Sequence, residues 1–329
     1  MHSWALSITV TCCAMSCAGC AHGYRIQEGV RYAAPGTRPL HLTLFLPEVD
    51  DAAARRPCVV LIHGGAWVSG TRHQLRWYGR RLAEEGYVAA AISYRKLPRH
   101  RFPACVHDAK SAVRWLRLHA DDYRIDPDRI AALGNSAGGH LAAMLAATAE
   151  MPEFEGTENP GPPSDISAAV SLYGALDLAE YKQPKTWIRV GGVAKGLVRR
   201  FVTTDAKAQR DPYAAASPIT YFDANTRPIL LIQGEKDNLV SVDVARRAHD
   251  MLVEAGVKTN LIIVPDRGHA FDFFYPKIRR ELFPEILHLL HETLGAPPRA
   301  ARCRGTGTSD PALRGGDVPV PDPQAPPHD

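Results

Sequence analysis

The sequence predicts an α/β protein, with a mostly parallel central sheet, helices on both faces and a small lid inserted late in the chain. Three observations carry this expectation. Apolar, β-rich runs recur along the chain with helical patterns between them, which is the signature of a parallel sheet covered on both sides. At 329 residues, 45% hydrophobic and 22% charged, the chain can bury one large core rather than two small ones. Gly134-Asn135-Ser136-Ala137-Gly138 then joins the apolar run Ile130–Leu133 directly to the helix-forming stretch that begins at His140.

In chain order, strands are expected over His41–Leu46, Cys58–Ile62, Tyr87–Ser93, Ile130–Leu133, Ile166–Tyr173, Pro228–Gln233 and Asn260–Val264. Helices are expected over Pro103–Ala120, Ala137–Ala147, Val242–Ala255 and Pro276–Leu294, the last three carrying apolar residues at three- and four-residue spacing. The region from about 176 to 218 breaks the rhythm with Gly191-Gly192, Trp187 and scattered basic residues; it is expected to form a short, not notably apolar lid. These elements define a domain over 22–295. Beyond it, 296–329 is rich in Pro and Gly with scarcely any large apolar side chain, and is expected to be a disordered tail.

The first twenty residues read differently. Trp4–Met15 is apolar but too short to span a bilayer, and small residues follow it, so 1–21 resembles an export leader. Cys17-Ala18-Gly19-Cys20 is similar to a bacterial lipoprotein box, with Cys17 where Leu is usual, which would place a lipid on Cys20. The expectation is an exported, periplasmic or lipid-anchored protein, with a cytoplasmic location as the alternative. Cys58 and Cys105 fall in an apolar strand and a helix and read as inert core thiols; no metal-ligand spacing arises. A formal net charge of +4 without a concentrated basic block argues against nucleic-acid binding.

The Gly-x-Ser-x-Gly segment is where chemistry is expected. A serine on a tight strand-to-helix turn projects its hydroxyl clear of the sheet, and the following helix aims its N-terminus at the place where negative charge develops in acyl transfer. Serine is a poor nucleophile at neutral pH, so it needs a histidine base and a carboxylate to hold that base's tautomer. Asp237 stands 101 residues after Ser136, just past the run Ile229–Ile232, and His269 a further 32 residues on, just past Leu261–Val264. All three then sit at the carboxyl edge of the sheet, where open α/β sheets bind ligands. Glu235 and Asp243 are rival carboxylates; Glu235 lies nearer the strand and Asp243 inside the next helix. Upstream, His63-Gly64-Gly65-Ala66-Trp67 follows the strand Cys58–Ile62. Adjacent glycines let its backbone face inward, so the N–H groups of Gly65 and Ala66, with that of Ala137, are the expected oxyanion donors. His63 is expected to brace the loop, with Gly64 and Trp67 supporting it or lining the substrate site.

With Tyr94-Arg95, Phe102-Pro103-Ala104, Asp126-Pro127-Asp128-Arg129-Ile130, Asn135-Ser136-Ala137-Gly138-Gly139-His140, Tyr173-Gly174-Ala175-Leu176-Asp177, Ser217-Pro218-Ile219 and Gly268-His269-Ala270-Phe271, these segments resemble the carboxylesterases of the α/β-hydrolase superfamily. The likeness is to the hormone-sensitive-lipase-like group and the bifunctional feruloyl and acetyl-xylan esterase-like proteins, over about 38–294. It implies Ser136 as nucleophile, Asp237 as acid and His269 as base, no metal or organic cofactor, and a small-molecule or carbohydrate ester as substrate. Ala66 stands where the hormone-sensitive-lipase-like loop commonly has a third glycine. The H-G-G-x-W form is also similar to kynurenine formamidases, which leaves amide hydrolysis open, as does a non-catalytic binding role on the same fold.

Overall fold

The computed structural model describes residues 23–36, 38–48, 54–149, 151–182, 195–202 and 211–298. Eight strands form one sheet: β1 (Tyr24–Ala33), β2 (Leu40–Pro47), β3 (Arg56–Ile62), β4 (Val88–Ile92), β5 (Ile125–Asn135), β6 (Ala168–Leu172), β7 (Ile229–Gly234) and β8 (Thr259–Val264). Their spatial order is β1-β2-β4-β3-β5-β6-β7-β8. β1 and β2 pair antiparallel, as do β2 and β4, while every pairing from β4 through β8 is parallel. Between the strands lie α1 (Arg76–Glu84), α2 (Ala104–Leu118), α3 (Ala120–Tyr123), α4 (Ala137–Ala147), α5 (described over 195–201), α6 (Pro212–Ala215), α7 (Val242–Glu254), α8 (Phe271–Phe274) and α9 (Pro276–Leu294).

The two-residue period of the strands divides the core. Cys58, Val60 and Ile62 of β3 face one layer, packed with Val106 and Val113 of α2, Leu141 and Met144 of α4, and Val244 and Leu252 of α7. Val59 and Leu61 face the other, packed with Tyr78 and Leu82 of α1 and Phe283, Ile286 and Leu290 of α9. Both sides of the central strands are therefore dry, which is why those strands read as unbroken apolar runs. The thiols of Cys58 and Cys105 are buried and free, and burial raises both above the ordinary thiol range.

Each of the seven expected strands is present, with shifted ends. Among the described residues, β1, α1 and the one-turn helices α3, α6 and α8 are not singled out in the expectation. The helix expected over Pro103–Ala120 stops at Leu118, and Arg124 closes the following turn α3 in the left-handed region at φ 54°. The expected leader, the Cys20 lipidation box, and Trp187 and Gly191-Gly192 of the lid all lie outside the described residues. Of the expected tail, 299–329 lies outside the described residues; at Pro298 the backbone carbonyl accepts a hydrogen bond from the Arg56 guanidinium at 2.7 Å. Among the described residues no helix is long and apolar enough to cross a membrane.

Candidate active site

β5 ends at Asn135, and Ser136 turns the chain at φ 53°, ψ −118°, a conformation that L residues rarely adopt. The turn is held from three sides. The Ser136 amide donates to the Leu172 carbonyl of β6 at 2.8 Å, and the His140 amide opens α4 by donating to the Ser136 carbonyl at 2.9 Å. The third hold is steric: a Cβ at Gly138 would stand 1.9 Å from the Ile62 carbonyl oxygen, so glycine alone lets α4 start this close to β3. Because the first intrahelical bond reaches from His140 back to Ser136, the Ala137 amide has no acceptor within the helix.

His269 reaches Ser136 from the loop after β8, its Nε2 lying 2.8 Å from Ser136 Oγ. Its Nδ1 lies 2.8 Å from Asp237 Oδ2. A carboxylate only accepts, so the proton sits on Nδ1, and Nε2 of the neutral ring is left to accept from the serine hydroxyl. Asp237 is itself fully engaged. Its Oδ1 accepts from the amides of Leu239 (2.8 Å) and Val240 (2.9 Å), and its Oδ2 from Gln233 Nε2 (2.9 Å) as well as from His269. The rival carboxylates are turned elsewhere: Glu235 accepts from the Asp266 amide and Asp243 pairs with Arg246.

The H-G-G-A-W loop lies against this elbow. A Cβ at Gly64 would stand 2.9 Å from the Asn135 carbonyl, so the glycine sets how near the loop approaches. Gly65, at φ 119°, closes a turn in which its carbonyl accepts from the amides of Val68 and Ser69, while Ala66 and Trp67 both take positive φ. His63 Nδ1–H donates to the Gly64 carbonyl at 2.7 Å, and the ring stacks on Tyr94 with centroids 4.4 Å apart. Burial lowers the His63 imidazole to about 4, so at neutral pH it is an uncharged brace.

A cleft of about 260 Å³ opens over Ser136 and His269, with Ala66, Trp67, Ala137 and Ala175 on one part of its wall and Tyr181, Leu197, Val198, Leu239 and Val240 on the rest. Gly65 is not among the described residues that line the cleft. Apart from the serine and histidine the described lining is almost wholly apolar. Part of it comes from the described portion of the lid region: Leu197 and Val198 face the cleft, and Phe201 stacks on Trp67 at 4.1 Å. Trp67 is further fixed by its indole N–H, which donates to His140 Nδ1 at 3.3 Å, while His140 Nε2–H donates to the Ala216 carbonyl at 2.8 Å.

Of the site residues in the sequence prediction, the structure brings Ser136, Asp237, His269, Ala66 and Ala137 together. Missing from that prediction are Gln233, which stands behind Asp237, and a buried group behind His269 formed by Asn135, Tyr173, Tyr78 and Asp272. Asn135 and Tyr173 lie within the motifs already noted, but their pairing depends on side-chain contacts across the sheet edge.

A largely parallel sheet that delivers serine, carboxylate and histidine in that order to a single rim is the α/β-hydrolase arrangement. The sequence model of the family described as BD-FAE matches residues 42–252, and the chain belongs to this family. It is 33% identical over 240 residues to esterase LipC of Mycobacterium tuberculosis, a match covering 72% of this chain and 58% of LipC, so the chain spans little more than half the length of that relative. It is 32% identical over 241 residues to an ethyl acetate hydrolase of Pseudomonas putida, covering 70% of this chain and 71% of the hydrolase. Esterase Est2 of the planctomycete Thermogutta terrifontis superposes with a TM-score of 0.69 at 27% identity, over 85% of this chain and 95% of Est2. Est2 has also been solved with butyrate and with propionate bound.

Proposed function

We propose that the chain is a serine carboxylic-ester hydrolase for short, uncharged acyl esters. The observation that carries this reading is the unbroken relay from Ser136 Oγ to His269 to Asp237, both links 2.8 Å long. As Ser136 Oγ attacks the acyl carbonyl, its proton passes to His269 Nε2, and Asp237 holds the imidazolium that forms. The carbonyl oxygen becomes an oxyanion that takes hydrogen bonds from the backbone amides of Ala137 and Ala66, with Gly65 as the further donor. A donor of this kind is worth about 3 kcal/mol in the transition state. His269 then returns the proton to the departing alkoxide, leaving an acyl-serine; water, deprotonated by the same imidazole, releases the acid and restores Ser136.

The substrate range follows from the wall of the cleft. An apolar lining with no ionised side chain beside His269 among the described residues favours neutral acyl groups, and a volume of about 260 Å³ suits short ones. The two short carboxylates bound to Est2 and the name of the Pseudomonas relative support the same class. The lid over 176–218 is proposed to close over this cleft, and the leader over 1–21, with a lipid on Cys20, to carry the protein to a bacterial envelope; intact-mass analysis of protein expressed with its own leader tests the latter.

The enzyme reading is tested with p-nitrophenyl acetate, acetylated xylan and formylkynurenine, each offered to the wild type and to Ser136→Ala. Turnover of the acetate ester that vanishes in Ser136→Ala is expected. Equal rates in the two proteins would eliminate the serine mechanism, and preference for formylkynurenine would move the assignment to amide hydrolysis.

A further inference from the structure

Behind His269 lies a second carboxylate that the relay does not use. Asp272 is 3% exposed, and among the described residues its partners are two phenol hydroxyls rather than a cation. Tyr78 of α1 donates to Oδ2 at 3.0 Å, and Tyr173, at the end of β6, donates to Oδ1. The Tyr173 oxygen in turn accepts from Asn135 Nδ2–H at 3.1 Å, which leaves the single Tyr173 proton directed to Asp272. Burial, reinforced by the neighbouring Asp272 charge, raises both phenols well above their ordinary range, so both remain donors. The Tyr173 ring stands edge-on to the His269 imidazole, centroids 4.8 Å apart.

The histidine loop leaves β8, the last strand of the sheet, whose side chains are mostly only half-buried. Its first half is tied to the Asp237 turn, since the Arg267 carbonyl accepts from the Lys236 amide at 2.8 Å and the Asp266 amide donates to Glu235. After His269 the backbone passes through Ala270 at φ 59° and enters α8, where Asp272 supplies the second tie. That tie runs to the opposite partner: through Tyr173 and Asn135 it ends one residue before Ser136.

We propose that Asp272 is a positioning residue that sets the reach of His269 toward Ser136, by joining the histidine loop to the nucleophile turn through Tyr173 and Asn135. The inference rests on the serine-hydrolase reading above. Two ties on either side of His269, one leading to the acid and one to the nucleophile, fix the imidazole along both of its hydrogen bonds. A buried carboxylate whose described hydrogen-bond donors are neutral hydroxyls is costly to keep, and its cost is repaid here as geometry. An error of about 1 Å in such a group can cost about a hundredfold in rate.

The test compares wild type, Asp272→Asn and Tyr173→Phe by kcat and KM for p-nitrophenyl acetate, by circular dichroism, and by the downfield proton resonance of the His269 Nδ1–H, identified through its loss in Asp237→Ala. Asp272→Asn and Tyr173→Phe are expected to lose about tenfold or more in kcat with KM within about twofold, and to shift or broaden that resonance in folded protein. Tyr173→Phe keeps the ring against His269 and removes only a hydroxyl, so it carries the test if Asp272→Asn does not fold. Folded variants with wild-type kcat and an unmoved resonance would overturn the proposal, even with a lowered melting temperature, because the network would then be purely structural. Should the wild type show no Ser136-dependent turnover, the hydrolase reading fails by itself, and the resonance alone decides whether Asp272 positions His269.

Discussion

Ser136 sits in a backbone region that costs a side-chain-bearing residue about 1–3 kcal/mol and costs glycine little. The strain persists because the Leu172 carbonyl, the His140 amide and the close approach of Gly138 to Ile62 all specify the same turn. Ser136→Gly is therefore expected to melt above Ser136→Ala, although both lack the hydroxyl, and calorimetry of the pair reads the difference. A glycine variant that melts at or below the alanine variant would mean that the elbow stores no strain. The three relay residues were legible in the sequence because each lies within a few residues of the end of an apolar run, so strand ends alone place them on one rim. Asp272 was not, since its partners Tyr78 and Tyr173 lie 194 and 99 residues away. Nothing within the local run Phe271–Tyr275 marks it as buried.

Among the elements, legibility followed burial on both faces. The central strands announce themselves as continuous apolar runs, whereas β1 is an edge strand whose charged and half-buried residues carry no such signal. α1 hides for another reason: it is short, with several charged residues and a glycine in its middle. Gly79 is needed there because a Cβ would stand 2.5 Å from the Phe45 ring of β2. The H-G-G-A-W loop could be read as an oxyanion loop, but the role of its tryptophan depends on α5, whose Phe201 stacks on it. Trp67 walls the cleft and Phe201 backs it from behind. Trp67→Ala is expected to move the preferred p-nitrophenyl ester from acetate or butyrate toward hexanoate and longer chains, as rates across the ester series will register. An unchanged profile would place the acyl group elsewhere in the cleft.

At the scale of the molecule, the sheet is a frame clamped between two apolar layers, and polar groups within it survive only in defined charge states. Burial lowers His63 and His140 from the ordinary imidazole value of 6.5 to about 4. The unfolded chain takes up those protons near 6.5 and the folded chain only near 4, so between these values the unfolded state binds more protons. The stability they confer is complete above about pH 6.5 and drains as pH falls toward 4, by about 1.4 kcal/mol per pH unit for each histidine at the steepest. Melting temperatures should fall across this window, and His140→Gln should flatten the fall; a wild-type slope in that variant would exclude His140 as a source. The central claim, that Ser136 is the nucleophile and His269 its base, is tested most directly by covalent trapping. The protein is incubated with paraoxon, digested and mapped by mass spectrometry. A diethylphosphoryl adduct on the peptide containing Ser136, formed far more slowly in His269→Ala, is the predicted result; an adduct on another residue, or equal labelling rates in the two proteins, would contradict it.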